Sequence, residues 1–326
     1  VLRWAILGTG FISNTIVEAI EQSSGSVVEI VAGRNEAAVA SFQEAHGIAR
    51  GCVGFDEAIA DSAVDAVYIG TPNHHHHPLA IAAAEAGKAI LSEKSLTTTM
   101  ETAHELADAV RGRVFFVEGL MYLAHPMYRV FEDLLTEERI GTVTAIHGRY
   151  AAHIAHLVQP LGRGTIYNLG CYPASLTQLV MRTACGQGIA DRTMTAVGTR
   201  TSDDTIGSAA ASITFANGVL ATLASTDEYG MAHAFSVLTD RGELRIDTNP
   251  WLPSETENTI TWQPYDGDAE VRSIADGHDA FFHQIQMVEA AVAAGETEAP
   301  HPSPQLDDSL EVMGLLTEWE ALALGT

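Results

Sequence analysis

A chain of 326 residues, 46% of them hydrophobic, is long enough for two domains of ordinary size, each with its own core. The sequence has no apolar run of about 18 residues, which argues against a membrane-spanning helix. A formal net charge of −25 disfavours nucleic acid and anionic membrane surfaces as partners, because phosphate recognition needs clustered Lys and Arg that are missing here.

The chain opens with Val1-Leu2-Arg3-Trp4-Ala5-Ile6-Leu7, which reads as a buried strand rather than a charged leader with a cleavage site, so a cytoplasmic protein is expected. Cys52, Cys171 and Cys185 are odd in number and widely spaced, as expected of reduced thiols in that compartment. From residue 3 to about 117, short apolar runs near 3–7, 27–32, 65–69, 88–92 and 113–117 alternate with amphipathic stretches. That alternation predicts a doubly wound parallel sheet covered on both faces, the α/β class.

After a helix around 125–136 the texture changes to strands near 143–151, 192–199, 207–215, 219–226, 232–238 and 243–247. Asn217-Gly218 signals a type I′ hairpin between two of them, and Asp240-Arg241-Gly242 joins two more. The Ala-rich strand 209–215 alternates only partly, so one of its faces is expected to pack on helices or on a partner. Helical patterns near 278–294 and 304–323 close the chain. The expected organisation is a dinucleotide-binding domain over 1–120 and an α+β domain over 121–326 with a large, mainly antiparallel open sheet. The closing helices are free to pack back on the first domain.

Gly8-Thr9-Gly10-Phe11-Ile12-Ser13 follows the first strand and opens a helix, matching GxGxxG with a small residue in the third position. Glycines allow the tight turn and close backbone approach, and the helix N-terminus meets the charge of a pyrophosphate. The second strand ends in Gly33-Arg34-Asn35 instead of the acidic residue that binds a ribose 2′-hydroxyl. Arg34 suits a 2′-phosphate, so NADP is favoured, with NAD as the alternative; a solvated surface Arg34 is the bland reading.

The third and fourth of these strands run into Thr71-Pro72-Asn73-His74-His75-His76-His77 and Ser92-Glu93-Lys94-Ser95-Leu96. Both loops leave the carboxyl ends of parallel strands, where ligands of such sheets bind. These segments resemble the TPNxxH and EKP motifs of the Gfo/Idh/MocA oxidoreductase family. Glu118 to Pro126 is similar to the EGFMYRxHP segment of its dihydrodiol and NADP-dependent aldose (xylose) dehydrogenase branch, and Gly164 to Pro173 is similar to that branch's G-x-x-x-D-x-G-x-Y-P. With Trp251-Leu252-Pro253, the matches keep their order over most of the chain. The resemblance implies a Rossmann domain, an open sheet that pairs subunits into a homodimer or homotetramer, and hydride transfer between nicotinamide and a hydroxyl or carbonyl of a sugar, polyol or dihydrodiol. Two other readings stay open: a glycoside-processing enzyme that uses tightly held NAD(P), and a non-catalytic NADP-binding regulator.

The resemblance places Gly8, Gly10, Phe11, Ile12, Arg34, Thr71, Pro72, Asn73, His77, Glu93 and Lys94 around the cofactor, with His77 taken as the terminal histidine of TPNxxH. Lys94 is the expected general acid/base, since a lysine pKa can be lowered by burial or nearby positive charge while arginine stays charged. Its rival reading is a surface pair with Glu93. Tyr172 is expected to donate or relay a proton, or else to be a core aromatic. Asn168, His156, His153 and Tyr122 are expected to touch substrate, although His153 and His156 also fit exposed positions, and His125 fits a helix start. Ser95 stands where the family motif has proline, and Asn168 where it has aspartate. Four consecutive histidines cannot all ligate one ion, because neighbours entering a helix point about 100° apart, so no metal is expected.

Overall fold

The computed structural model describes residues 1–157 and 160–325. The chain divides into two compact units, Val1–Ala124 with Phe281–Leu306, and His125–Ala280 with Asp307–Thr326.

In the first unit β1 (Leu2–Leu7), α1 (Phe11–Gln22), β2 (Ser26–Gly33), α2 (Glu36–His46), β3 (Gly51–Val53), α3 (Asp56–Ala60), β4 (Ala66–Ile69), α4 (His76–Glu85), β5 (Ala89–Glu93), α5 (Met100–Val110) and β6 (Phe116–Gly119) follow in turn. The six strands form a parallel sheet in the order β3-β2-β1-β4-β5-β6, the doubly wound order with its reversal between β1 and β4. β4 and β5 are buried along their whole length, which is why they read as continuous apolar runs rather than alternating ones. Start signals are plain in the sequence: Asn35 caps α2 through Ala38 N–H, and Thr99 caps α5 through Thr102 N–H. β3 escapes the sequence reading because three residues are too few to carry a period.

In the second unit α6 (Pro126–Thr136), β7 (Val143–Ala152), α7 (Cys171–Cys185), β8 (Arg192–Arg200), β9 (Ile206–Phe215), β10 (Leu220–Thr226), β11 (Met231–Thr239), β12 (Gly242–Ile246), β13 (Asn258–Pro264) and β14 (Glu270–Ile274) follow. The eight strands make one sheet in the order β14-β13-β12-β11-β7-β10-β9-β8, antiparallel except for the β7–β10 pair. α7, β13 and β14 go beyond the sequence reading. Cys171 to Met181 are all buried, so α7 shows no polar face from which a period of 3.6 could be read. β14 is an exposed edge strand with Glu270 and Arg272, a charged pattern that blunts edge pairing and hides the strand.

The hairpin at Asn217-Gly218 joins β9 to β10 as expected, but its turn is not type I′. Gly218 has φ 88°, while Asn217 is not among the non-glycine residues with positive φ. Gly218 N–H donates to Phe215 O at 2.9 Å and Phe215 N–H to Val219 O at 2.9 Å, a type I turn followed by a glycine bulge. Asn217 Oδ1 instead accepts from Val219 N–H at 3.1 Å. The Ala-rich β9 alternates more regularly than its sequence suggests, burying Ala209, Ala211, Ile213 and Phe215 and exposing the residues between.

α8 (Ala280–Ala294) returns to the first unit, where Ile285 and Val288 join Trp4, Ile6, Ile16 and Leu91 in one core. Each such fully buried side chain is worth roughly 1.5–3 kcal/mol over leaving it in water. α9 (Leu306–Leu324) packs in the second unit, where Arg182 pairs with Asp308 at 2.8 Å and Arg192 with Glu318 at 2.7 Å. Among the described residues no helix is long and apolar enough to cross a membrane.

Candidate active site

The Gly8 turn sits where β1 and β4 diverge. Gly8 has φ 116°, and a Cβ there would stand 2.7 Å from Gly70 O, so no other residue fits without movement. Ser13, fully buried, tolerates the close packing of α1 because it is small: a Cβ on Gly70 would lie 2.6 Å from its Oγ. A Cβ on Gly10 would meet nothing within 4 Å, and α1 starts without a side-chain cap or an acidic residue in its first turn. Phe11 is 81% exposed beside it and Ile12 is half-buried. An uncapped helix N-terminus with open space over Gly10 fits the pyrophosphate of a dinucleotide.

Arg34, just past β2, is exposed, and its Nη1 stands 3.5 Å from His75 Nε2. Burial lowers the His75 pKa, and His74 and Arg34 lower it further, which favours the neutral ring beside the guanidinium. Thr71, Pro72 and Asn73 leave the end of β4 and enter a tight turn, Asn73–His75, that runs into α4. The Thr71 hydroxyl oxygen is buried with no hydrogen-bond partner among the described residues, a polar atom left for a ligand.

The histidine assignment in this loop is corrected by one residue. His77 is half-buried, with Nε2 2.8 Å from a carboxylate oxygen of Glu105 on α5. His76 instead is fully buried, with Nδ1 2.9 Å from Ser95 O and Nε2 2.8 Å from Thr71 O. His76 is also the residue that completes TPNxxH. Burial pushes its pKa down to about 4 in spite of the two carbonyls.

Lys94 follows β5, half-buried, and its peptide to Ser95 is cis. Glu93 is buried rather than at the surface, and its carboxylate accepts from the Tyr68 hydroxyl at 2.9 Å. Burial raises the Glu93 pKa, opposed by Lys94 and the Tyr68 hydroxyl. The other lysine, Lys88, is occupied structurally: Nζ donates to Asp61 O at 2.7 Å and Val64 O at 2.8 Å. Tyr122 belongs to this unit and has no accessible surface.

In the second unit Asn168 lies in a π-helical turn, Ile166–Gly170, that leads into α7 and Tyr172. The turn is fixed from several sides. Tyr167 O–H donates to Glu320 at 3.0 Å, Arg163 reaches the same carboxylate at 3.1 Å, and the Thr165 and Ser225 hydroxyls share a hydrogen bond of 2.7 Å. Tyr172 is buried at the start of α7 in an aromatic group, its ring 5.2 Å from Tyr150 and 6.0 Å from Trp251. Burial pushes the Tyr150 hydroxyl up to about 12. His153 and His156 are exposed, their rings 6.4 Å apart. His125 is a helix-start residue whose Nδ1 accepts from Met127 N–H at 3.2 Å.

One group has no counterpart in the sequence reading. Asp227, past the end of β10, is 3% exposed, and its carboxyl is raised to about 6, chiefly by burial, with Glu228 adding to the rise. Its own backbone N–H and the Asn168 side chain act the other way by hydrogen bonding. Asp227 O also accepts from Ile154 N–H and Ala155 N–H, both at 2.9 Å, which ties down the segment carrying His153 and His156. A buried carboxyl that titrates near neutrality beside a hydrogen-bonding amide is a common feature of functional sites. No group of three potential metal ligands gathers among the described residues.

Known proteins agree with this architecture. An oxidoreductase family with an NAD-binding Rossmann fold matches residues 2–117, and the GFO/IDH/MocA C-terminal domain matches residues 128–245. An uncharacterized oxidoreductase of Rhizobium meliloti is 33% identical over 187 residues, covering 55% of this chain and 56% of that protein. The NADP(+)-dependent D-xylose 1-dehydrogenase 2 of Haloferax volcanii is 25% identical over 96% of this chain and 94% of its own length. Among solved structures, a 3-ketoreductase from Actinomadura kijaniata in complex with NADP and TDP-benzene superposes with a TM-score of 0.86 at 26% identity, covering 99% of this chain and 97% of that one. The chain belongs to the Gfo/Idh/MocA oxidoreductase family.

Proposed function

We propose that the chain is a reversible NADP-dependent oxidoreductase acting on a hydroxyl or carbonyl of a sugar, polyol or dihydrodiol. The observation that carries this reading is Lys94, held at the end of β5 in a loop pinned to the Thr71-Pro72-Asn73 loop beside an open glycine turn. A bound nicotinamide dinucleotide supplies the hydride acceptor in oxidation and the donor in reduction. Gly8, Gly10, Phe11 and Ile12 shape the pyrophosphate site, Arg34 meets the 2′-phosphate, and Thr71 to Asn73 line the cofactor. His76 takes the loop-supporting place first given to His77. Glu93, buried at the end of β5 and next to Lys94 in the chain, holds the Tyr68 hydroxyl.

Oxidation of an alcohol needs a base for the hydroxyl proton as hydride leaves carbon, and reduction needs the same group as an acid. Lys94 takes that proton at Nζ. In the second unit Tyr172 is the proposed proton donor or relay, and Asn168, His156 and His153 are the proposed substrate contacts. Tyr122, first expected to touch substrate, has no accessible surface and is left out of the proposed substrate contacts. Asp227 holds the Asn168 amide by accepting from it while ionised. The first unit thus serves the dinucleotide, and the second serves substrate and subunit pairing.

Pairing is proposed through the open face of the large sheet, where Val197 is 70% and Leu220 52% exposed among alanines of β9 and β10. The reduced thiols of Cys52, Cys171 and Cys185 fit a cytoplasmic home. The direct test is nicotinamide absorbance with NADP(H) and NAD(H) against a panel of aldoses, polyols and dihydrodiols. Turnover that favours NADP(H) is the expected result. Tight binding without redox change on any member would turn the reading toward a regulator.

A further inference from the structure

His76 is a buried side chain that the proposed chemistry does not use directly, and its surroundings are unusual. Both ring nitrogens face backbone carbonyl oxygens, Ser95 O at 2.9 Å from Nδ1 and Thr71 O at 2.8 Å from Nε2. A carbonyl oxygen only accepts, and a neutral imidazole has a single N–H. The neutral ring therefore donates to one loop and turns a lone pair toward the other, and only the imidazolium donates to both. Burial opposes that second proton, and Lys94 and His74 oppose it as well. The ring has no accessible surface, so water does not share the task.

We propose that His76 is the positioning residue of Lys94: it anchors the carbonyl one residue past the lysine to the loop of Thr71, Pro72 and Asn73, and so sets where Nζ stands against the cofactor. The proposal rests on the reading of Lys94 as the acid/base group. Its physical content is a distance constraint between two loops that leave neighbouring parallel strands, β4 and β5, at their carboxyl ends. The register Ile69↔Ser92 aligns the strand ends, and His76 continues the alignment into the loops, where no sheet hydrogen bonds remain to do so.

The chain makes the test unusually direct, because Lys88 and Lys94 are its only lysines and Lys88 Nζ is spent on two carbonyls in a buried site. An amine reagent such as trinitrobenzenesulfonate, read by peptide mapping to identify the labelled side chain, therefore reports Lys94. His76→Phe keeps the bulk and removes both contacts, while His76→Gln keeps one donor. The expected result for His76→Phe is a fall in kcat of about tenfold, with the NADPH Kd within roughly threefold of the parent and His76→Gln intermediate. In a Lys94→Ala background the same substitution adds less than about twofold, because residues that act through one another are not additive.

Equal losses in both backgrounds, or an unchanged kcat with unchanged Lys94 labelling, overturn the proposal. Full turnover in Lys94→Ala alone defeats the reading of Lys94 instead. The labelling rate then decides the geometric claim by itself: a change of about threefold or more supports the anchor, and an unchanged rate removes it. If His76→Phe does not fold, His76→Gln carries the same cycle.

Discussion

Replacing Asp227 with Asn removes a charge and keeps the shape, so the cost of burying the carboxylate can be measured. In the folded chain the carboxyl titrates near about 6, against 3.8 for a free side chain. At 1.36 kcal/mol per tenfold in proton affinity, that gap amounts to about 3 kcal/mol. The folded pKa is the higher one, so the folded state binds the proton more tightly. The penalty is therefore absent below pH 3.8, grows between 3.8 and 6, and is complete above 6. Asp227→Asn is expected to raise unfolding stability by up to about 3 kcal/mol at pH 8, by roughly half that at pH 5, and by little at pH 3.5. Urea unfolding at the three pH values, followed by tryptophan fluorescence, gives the difference. Turnover at pH 8 should fall as stability rises, because the Asn168 amide loses its anionic acceptor, the usual trade between a strained site and a stable one. A variant that is destabilised equally at all three pH values would refute the burial argument. Full activity in a stabilised variant would leave the burial argument standing and remove Asp227 from the site.

Arg34→Ala should weaken NADPH binding by about 10- to 100-fold, the loss of one charge-assisted contact worth roughly 1.5–3 kcal/mol, and leave NADH binding unchanged within experimental error. Calorimetric titration with both nucleotides checks this, and equal losses for the two would show that Arg34 does not read the 2′-phosphate. Val197→Glu places a charge on the open sheet face, and sedimentation should show the assembled chain shifting to monomer. An unchanged sedimentation coefficient would move subunit pairing elsewhere or exclude it.

The parts that were legible in the sequence are those governed by local rules. A buried strand followed by glycines gives the Gly8 turn, because the close approach of Gly70 leaves no room for a Cβ. The Asn35 and Thr99 caps and the alternation of β10, β11 and β12 are written in neighbouring residues. What stayed hidden depends on surroundings that spacing does not encode. α7 is buried on all sides and carries no period, and β14 is masked by the charges that protect an edge. Asn217-Gly218 specified a hairpin, but the Asn217 side chain caught Val219 N–H and selected a different turn. Asp227 sits in Ser225-Thr226-Asp227-Glu228, which reads as an ordinary solvated turn, and only the fold buries it against Asn168. In the histidine run TPNxxH ends on His76 rather than His77, and burial separates the two where chemistry alone could not.

The central claim, that Lys94 performs acid/base chemistry for hydride transfer with NADP, is tested most directly by comparing the parent chain with Lys94→Ala. NADPH binding and turnover of the best substrate from the aldose, polyol and dihydrodiol panel are measured on the same samples. The account predicts binding within roughly threefold of the parent and a turnover lower by at least about 100-fold, the usual share of a positioned acid/base group. Unchanged turnover with intact binding would contradict it.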